Sequence, residues 1–134
     1  MRDYEQRAAR YWPLDVREVK EEPARSLDPD TVRAREWARL ADAAQGAFVV
    51  LCDEAGRAFD STAWAKHLDG LRADAKDVAF VVGGAFGLPD AARASGDDRL
   101  SLAPWTLPHE LARLVLAEQL YRAGTILRNE PYHK

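Results

Sequence analysis

Three glycines that directly follow an apolar run are the first candidate for a ligand-binding loop. Residues 77–82 (DVAFVV) are typical of a strand buried on both faces, and they lead into residues 83–87 (GGAFG). Glycines let a ligand approach the backbone closely, and parallel sheets bind ligands at the carboxyl ends of their strands. The spacing differs from the dinucleotide pattern G-x-G-x-x-G, and no phosphate-loop lysine accompanies it. The pattern is equally compatible with a tight turn and with a binding loop.

Histidines and one cysteine are the candidates for acid–base or nucleophilic chemistry. His109 opens a long predicted helix, where a capping or packing role is favoured, and His67 on a polar helix is interpreted as solvated. His133 lies beside Tyr132 in a short tail. The three histidines are dispersed without metal-ligand spacing, so we predict no metal. Cys52 ends an apolar run with no base in view, which favours a small buried hydrophobe over a nucleophile.

Basic and aromatic residues are the candidates for contacts with nucleic acid. Arg113 and Arg122 lie on the long predicted helix, where solvation or ion pairing with Glu110 or Glu118 is the simpler interpretation. Trp105 can stack on a base or fill the core, and packing is favoured. A net charge of −3 excludes binding of nucleic acid by bulk charge alone, although it allows a local basic patch.

The elements that must position these residues alternate between strands and helices. Such alternation predicts an α/β fold with a mostly parallel sheet, in one domain over residues 1–134 and without internal repeats. We predict a loop over 20–30 and a turn over 53–57. Period-two alternation or continuous apolar runs predict strands over 14–19, 47–52, 77–82 and 100–103, and helix signals predict helices over 3–11, 31–45, 63–71, 90–94 and 108–126.

Composition and length narrow the class of protein further. The chain has 134 residues, of which 47% are hydrophobic and 31% charged, as in a folded globular domain rather than a disordered chain. Its longest apolar run is too short to cross a bilayer, and no signal-peptide pattern is visible. The single cysteine excludes an internal disulfide. We therefore expect a cytoplasmic protein with no membrane partner.

Three segments together resemble one family. They are residues 81–88 (VVGGAFGL), 100–123 (LSLAPWTLPHELARLVLAEQLYRA) and 129–134 (NEPYHK). The combination of L-P-H, E-Q-x-Y-R-A and a final P-Y-H is specific. The segments are similar to those of the ribosomal RNA large subunit methyltransferase H family, which belongs to the SPOUT class of knotted methyltransferases. The resemblance is strong from about residue 47 onward and loose before it.

The resemblance implies a fold, an activity and a cofactor site. The implied fold is a parallel sheet with helices on both sides and a C-terminal trefoil knot, in a homodimer. The implied activity is S-adenosylmethionine-dependent methylation of N3 of a pseudouridine in 23S rRNA, on the assembled 70S ribosome. By family pattern, the cofactor would be held by Cys52, Gly83 and the loop Leu102, Ala103, Pro104, Trp105, Thr106 and Leu107, with Leu102 and Leu107 enclosing the adenine.

The implied reaction needs help with a proton, because the N3 of a pseudouridine is a protonated imide nitrogen and a poor nucleophile. His133 is our candidate base, since its ordinary pKa lies near the working pH, with Tyr132 beside it. Arg122 and His109 are further candidates that would approach from across the dimer, and Arg122 would stabilise the developing oxyanion or a phosphate. Basic residues expected to contact the RNA are His109, Arg113, Arg128 and Lys134.

One family feature has no counterpart in this sequence. The first strand of the family, which ends in V-G-K, is not matched, so we expect a single domain that lacks this strand. Three explanations stay open, namely a misassigned start codon, a fragment of a longer chain, and a fold with an exposed inner sheet edge. Two other functions remain open. One is a SPOUT methyltransferase for a different RNA base, and the other is a relative that binds ribosomes without catalysis. A nucleotide-phosphate enzyme is disfavoured by the absent lysine.

Overall fold

The structure is a computed structural model that describes residues 2–22, 28–74 and 77–134. Within these ranges the chain forms five helices and three strands. The helices are α1 (Arg2–Ala8), α2 (Pro29–Ala43), α3 (Ser61–Ala73), α4 (Asp90–Ser95) and α5 (His109–Leu127), and the strands are β1 (Phe48–Arg57), β2 (Val78–Val81) and β3 (Asp98–Leu100). In the part of the chain that is described, no helix is both long and apolar enough to cross a membrane.

The three strands form a parallel sheet in the order β2-β1-β3. Strand β1 lies in the middle, and its apolar first half, residues 48–52, is covered on both faces. Leu51 of β1 is aligned with Val81 of β2, and Cys52 of β1 is aligned with Leu100 of β3. This topology confirms the predicted α/β class with helices flanking a parallel sheet.

Helices cover both faces of the sheet. Neighbouring residues of β1 point to opposite faces, so each face has its own core cluster. Val50 belongs to a core cluster with Trp64 of α3 and Leu120 of α5. Leu51 belongs to a second cluster, which includes Ala92 of α4 and is completed by side chains of α2. The predicted helices are thus all present, with bounds that shift by a few residues.

Helix α5 is held by a close contact with the N-terminal segment. A Cβ atom on Gly124 would overlap the ring of Tyr11, so only glycine allows this approach. Trp12 donates its indole N–H to the carbonyl oxygen of Leu120 at 2.9 Å. These contacts fix the helix that carries three of the predicted RNA-contacting and catalytic residues, namely His109, Arg113 and Arg122.

Three of the predicted elements are wrong or displaced. Residues 14–19 form no strand, because their side chains meet helices instead: Arg17 donates to the Ala43 carbonyl and Glu18 accepts from Arg113. The predicted turn over 53–57 is the end of β1, which bulges so that Arg57 also lies opposite Leu100. The third strand ends at Leu100 rather than beginning there. Of the predicted loop over 20–30, residues 23–27 lie outside the described residues.

Candidate functional site

The glycine loop after β2 (residues 83–87) is a tight turn. Gly87 donates its N–H to the Gly84 carbonyl at 3.0 Å and has a φ of +76°, in the left-handed region. A Cβ on Gly83 would lie 2.8 Å from the carbonyl carbon of Gly87. The loop itself therefore requires glycine at 83, whereas the sequence argument attributed this requirement to a bound cofactor.

A buried carboxylate lies beside the glycine loop. Glu36 of α2 is only 7% exposed, and its Oε2 accepts a hydrogen bond from the Glu22 N–H at 3.1 Å. Its Oε1 has no hydrogen-bond partner among the described residues, and it lies 2.6 Å from the position of a Cβ built on Gly84. A buried carboxylate oxygen without a partner is costly, so this atom is a candidate acceptor for a ligand.

The sheet register brings three predicted cofactor-binding positions to one edge. Cys52 follows Leu51, which is aligned with Val81, and Gly83 lies two residues beyond Val81. Leu102 lies two residues beyond Leu100, the partner of Cys52. Cys52 is half-buried, and burial raises the pKa of its thiol to about 12, which supports the interpretation of Cys52 as an unreactive side chain.

The segment Leu102–Leu107, which we name the donor loop, makes few contacts. Its central residues Pro104, Trp105 and Thr106 are exposed. Trp105 is 78% exposed, so the prediction that it packs in the core is wrong. Ser101 Oγ donates to the Ala103 carbonyl at 2.9 Å, and the Thr106 hydroxyl donates to Glu54. The loop lies free to contact a ligand or a second chain.

Two of the three predicted catalytic residues bind one carboxylate and the third contacts Arg122, and we name Glu118, Arg122, Tyr132 and His133 the tail cluster. Glu118 Oε2 accepts from Arg122 Nη2 at 2.8 Å and from the Tyr132 hydroxyl at 2.8 Å. Arg122 Nη1 lies 3.0 Å from Nδ1 of His133. The predicted pairing of Arg122 with Glu118 is confirmed, and the C-terminal tail is thereby fastened to α5.

The electrostatics of the tail cluster keep Tyr132 in its protonated form. Burial is the largest cause that raises the pKa of Tyr132, and hydrogen bonds to Tyr4 and Glu118 raise it further. The hydrogen bond to Glu118 raises the pKa of Arg122 as well. Tyr132 is therefore a hydrogen-bond donor here, and Arg122 is a fixed positive charge.

A half-open cavity of about 510 Å³ is lined by one residue of the donor loop and one residue of the tail cluster. Leu102 lines one side and His133 another, together with Trp64, Ser61 and Gln119. Trp64 is 5% exposed, and its indole N–H has no partner in the described part of the chain. The volume lies within the range of ordinary small-molecule sites, so it can hold a nucleoside-sized group.

The predicted RNA-contacting residues differ in their surroundings. Arg113 donates hydrogen bonds to Glu5 and Glu18 rather than to Glu110, and these bonds raise its pKa, so it is part of the scaffold. His109 lies 3.4 Å from Glu21. Arg128 and Lys134 are exposed, and Arg128 lies over the Tyr11 ring at 5.0 Å.

The prediction for His67 and the prediction that the histidines bind no metal can also be compared with the structure. His67 is not simply solvated, because it stacks on Phe59 with ring centroids 4.9 Å apart and lies 3.6 Å from Asp98. No cluster of three or more metal-ligating side chains occurs among residues 2–22, 28–74 and 77–134. The expectation that no metal is bound stays a prediction.

Sequence reasoning missed the functional interest of Glu36 and Trp64, and it considered Glu118 only as an ion-pair partner. A signal for Glu36 was present, since it lies four residues after Val32 and four before Leu40, within an otherwise apolar stripe of α2. Trp64 gave no signal, because a core tryptophan and one that lines a cavity have the same pattern.

Comparison with known proteins places this fold and site in a family. A family model described as predicted SPOUT methyltransferase matches residues 1–133. The chain belongs to the SPOUT methyltransferase family. Because the match reaches almost from end to end, it includes the N-terminal third, where the sequence resemblance was loose.

Curated relatives of this SPOUT methyltransferase share one name, Ribosomal RNA large subunit methyltransferase H. The protein from Gemmatimonas aurantiaca is 62% identical over 135 residues, covering 100% of this chain and 88% of the relative. Those from Sorangium cellulosum and Syntrophotalea carbinolica are 44% and 41% identical, each covering 98% of this chain and 86% and 85% of the relative. The recognised family is therefore confirmed, and the protein is a methyltransferase.

Proposed function

We propose that this SPOUT methyltransferase transfers a methyl group from S-adenosylmethionine to N3 of a pseudouridine in large-subunit rRNA. The proposed substrate is the assembled ribosome, and the proposed working form is a cytoplasmic homodimer with the trefoil knot of its class. The observation that carries the proposal is the cavity shared by Leu102 of the donor loop and His133 of the tail cluster. A methyl donor held by the donor loop and an acceptor base at the tail cluster would both face this cavity.

The residues at the carboxyl edge of the sheet fit S-adenosylmethionine. Backbone at Gly83 and along the donor loop is available to a flat adenine, with Leu102 and Leu107 partly buried on either end of the loop. The unpartnered Oε1 of Glu36 at the glycine loop suits a cationic ligand, because an opposite charge offsets the cost of burying a carboxylate. When bound, S-adenosylmethionine supplies an electrophilic methyl group.

The tail cluster would prepare the acceptor nitrogen. An imide N3 reacts after it loses its proton, and the resulting charge spreads onto the two neighbouring carbonyl oxygens. Arg122 provides a positive charge held by Glu118, and His133 lies at the cavity wall. Tyr132 stays protonated, and its hydroxyl can donate a hydrogen bond to the substrate in place of the one that it donates to Glu118.

Docking on the ribosome must overcome a net charge of −3. The exposed side chains of Arg128 and Lys134 lie in or next to the tail, close in sequence to the proposed catalytic group. In a homodimer both copies of these residues would be present, which would give a local basic surface without a basic protein.

Product analysis tests the proposal. Ribosomes from cells that lack this modification are incubated with the protein and methyl-labelled S-adenosylmethionine, and the digested rRNA is examined by nucleoside mass spectrometry. We expect label in N3-methylpseudouridine and in no other nucleoside. Label in a different base would identify another SPOUT specificity, and binding to ribosomes without label would favour the non-catalytic alternative.

A further inference from the structure

We propose that His133 acts on the substrate as a hydrogen-bond donor through Nε2, and not as the base that removes the N3 proton. This inference rests on the proposed function and replaces the role that sequence reasoning gave to His133. In it, Glu118 is a positioning residue that fixes the histidine through Arg122. The ligand recognised by Nε2 is a carbonyl oxygen of an imide-containing base.

The first step in the argument is the contact between Arg122 and His133. Arg122 Nη1 lies 3.0 Å from His133 Nδ1. A guanidinium group has five N–H donors and no acceptor, so the hydrogen bond has only one possible direction. Nδ1 must accept, and the neutral imidazole then carries its proton on Nε2. A histidine in this tautomer has no nitrogen left to receive a proton.

The second step is that Arg122 is not free to turn away. Glu118 Oε2 accepts from Arg122 Nη2 at 2.8 Å and from Nε at 3.2 Å, which fixes the plane of the guanidinium. The same carboxylate holds the Tyr132 hydroxyl at 2.8 Å, and Gln119 donates to Glu118 Oε1 at 2.9 Å. The carboxylate, guanidinium and imidazole thus form a directed chain, in which each member sets the orientation of the next.

The third step is that His133 lies at the cavity. His133 lines the cavity of about 510 Å³, and Nε2 is the ring nitrogen that Arg122 does not occupy. Trp64 lines the same cavity, but its indole N–H is itself buried. Asp60 also lines the cavity, and its Oδ1 accepts from the Ala63 N–H at 2.8 Å as the N-cap of α3. Nε2 of His133 is therefore the donor that we assign to this cavity, and it suits a ligand with carbonyl acceptors.

The chemistry of an imide nitrogen needs such a donor. N3 first loses its proton to solvent water, and the negative charge left on the ring is carried largely by the flanking carbonyl oxygens. A hydrogen bond from Nε2 to one of these oxygens strengthens as this charge develops, which lowers the cost of forming the anion. The N3 anion then forms its bond to the methyl carbon while the bond from that carbon to sulfur breaks.

Two substitutions at His133 separate a donor from a base. The side-chain amide of His133→Gln can donate a hydrogen bond near the position of Nε2, but it cannot take up a proton at neutral pH. We expect this variant to stay within about tenfold of the wild-type single-turnover rate on ribosomes, while His133→Ala loses about 10²-fold or more. A glutamine variant as slow as the alanine variant would overturn the proposal. The affinity of both for S-adenosylmethionine is the control.

The tautomer can be observed directly, whatever the activity of the variants. In ¹⁵N-labelled protein, nitrogen chemical shifts distinguish a protonated Nε2 from a protonated Nδ1. We expect the Nε2–H form for His133 in the wild type, and a mixture of tautomers in Glu118→Gln. A protonated Nδ1 in the wild type, or an unchanged tautomer in the variant, would contradict the proposal. If the wild type transfers no methyl group at all, the proposed function fails, but this measurement still decides the tautomer.

Discussion

The donor loop and the tail cluster meet at one cavity, yet they are held in different ways. In the tail cluster, one Glu118 oxygen accepts from both Arg122 and Tyr132 at 2.8 Å. In the donor loop, Trp105 is 78% exposed, and the hydrogen bonds described for the loop come from Ser101 and Thr106. One side of the site is fixed by the chain itself, and the other side is left open.

This difference indicates how the work of the site is divided. Groups that stabilise charge are most effective when their orientation is set before the substrate arrives, and the tail cluster meets this requirement. A loop that binds mainly through its backbone gains order when its ligand occupies it, so it needs little support beforehand. The glycine loop shares features of both regions. Close backbone contacts within its turn require glycine at 83, but the Oε1 atom of Glu36 beside it has no hydrogen-bond partner among the described residues.

The largest effect should come from a side chain in the glycine loop. In Gly83→Ala the new Cβ would lie 2.8 Å from the Gly87 carbonyl carbon, so the turn must shift. Overpacking of this kind costs about 1–3 kcal/mol, and we expect the affinity for S-adenosylmethionine to fall at least tenfold. Calorimetric titration and urea unfolding measure the two effects.

Gly70→Ala is the matched control for that variant. Gly70 lies exposed on α3, and nothing surrounds the position of its Cβ within 4 Å. Alanine is the better helix former, so we expect stabilisation of up to about 1 kcal/mol and unchanged cofactor affinity. Equal losses in both variants would show that the glycine loop has no special role.

The second effect concerns acid stability at the same edge of the sheet. Although burial opposes it, the hydrogen bond and charge of Arg93 hold the pKa of Asp53 below its ordinary value. Because the folded-state pKa is lowered, this stabilisation is present above the unfolded pKa of about 3.9 and is lost as the pH falls through the folded value. Asp53→Asn should cost about 2 kcal/mol at pH 7.

Urea unfolding between pH 3 and pH 7 checks this expectation. Below about pH 4 the gap between wild type and Asp53→Asn should narrow, since the carboxyl takes up a proton first in the unfolded state and, at still lower pH, in the folded state. A gap that stays constant with pH would mean that the side chain acts through packing rather than charge.

The third and smallest effects distinguish Arg113, which belongs to the scaffold, from Arg128, which is proposed to contact the RNA. Arg113 is held by Glu5 and Glu18, so Arg113→Ala should lower stability by about 1–2 kcal/mol and leave two carboxylates without their partner. Arg128 is exposed, so Arg128→Ala should leave stability within about 0.5 kcal/mol of the wild type. Arg128→Ala should instead weaken ribosome binding and reduce its salt slope by about one. Weakened binding in Arg113→Ala at unchanged stability would reverse this assignment.

The sequence could predict the layers of the fold because apolar periodicity reports burial. The central strand, β2 and α5 were all predictable, since long patterns outweigh local exceptions. The prediction of a strand over residues 14–19 was wrong, because alternating apolar and polar residues are typical of any extended segment, whether or not another strand pairs with it. The end of β1 was missed because Gly56 indicates a turn, whereas its contact with the Arg99 backbone, which allows the bulge, depends on tertiary structure.

The candidate site was predictable only where motifs are local. The chemistry of the implied reaction pointed to His133, Tyr132 and Arg122. In the structure Arg122 and Tyr132 bind Glu118, and His133 contacts Arg122 within one chain rather than across a dimer. The sequence could not indicate the contact between Arg122 and His133, because that depends on where the tail lies in space. The role of Arg113 was likewise hidden, since its partners lie about one hundred residues away in sequence.

Amide hydrogen exchange with and without S-adenosylmethionine tests the central claim most directly, namely that one cofactor site joins an open loop to a fixed cluster. We predict that the cofactor slows exchange in the donor loop and the glycine loop, while the amides of α5 around Glu118 are already protected without it. No protection of either loop at saturating cofactor, or protection that arises only in α5, would contradict the account.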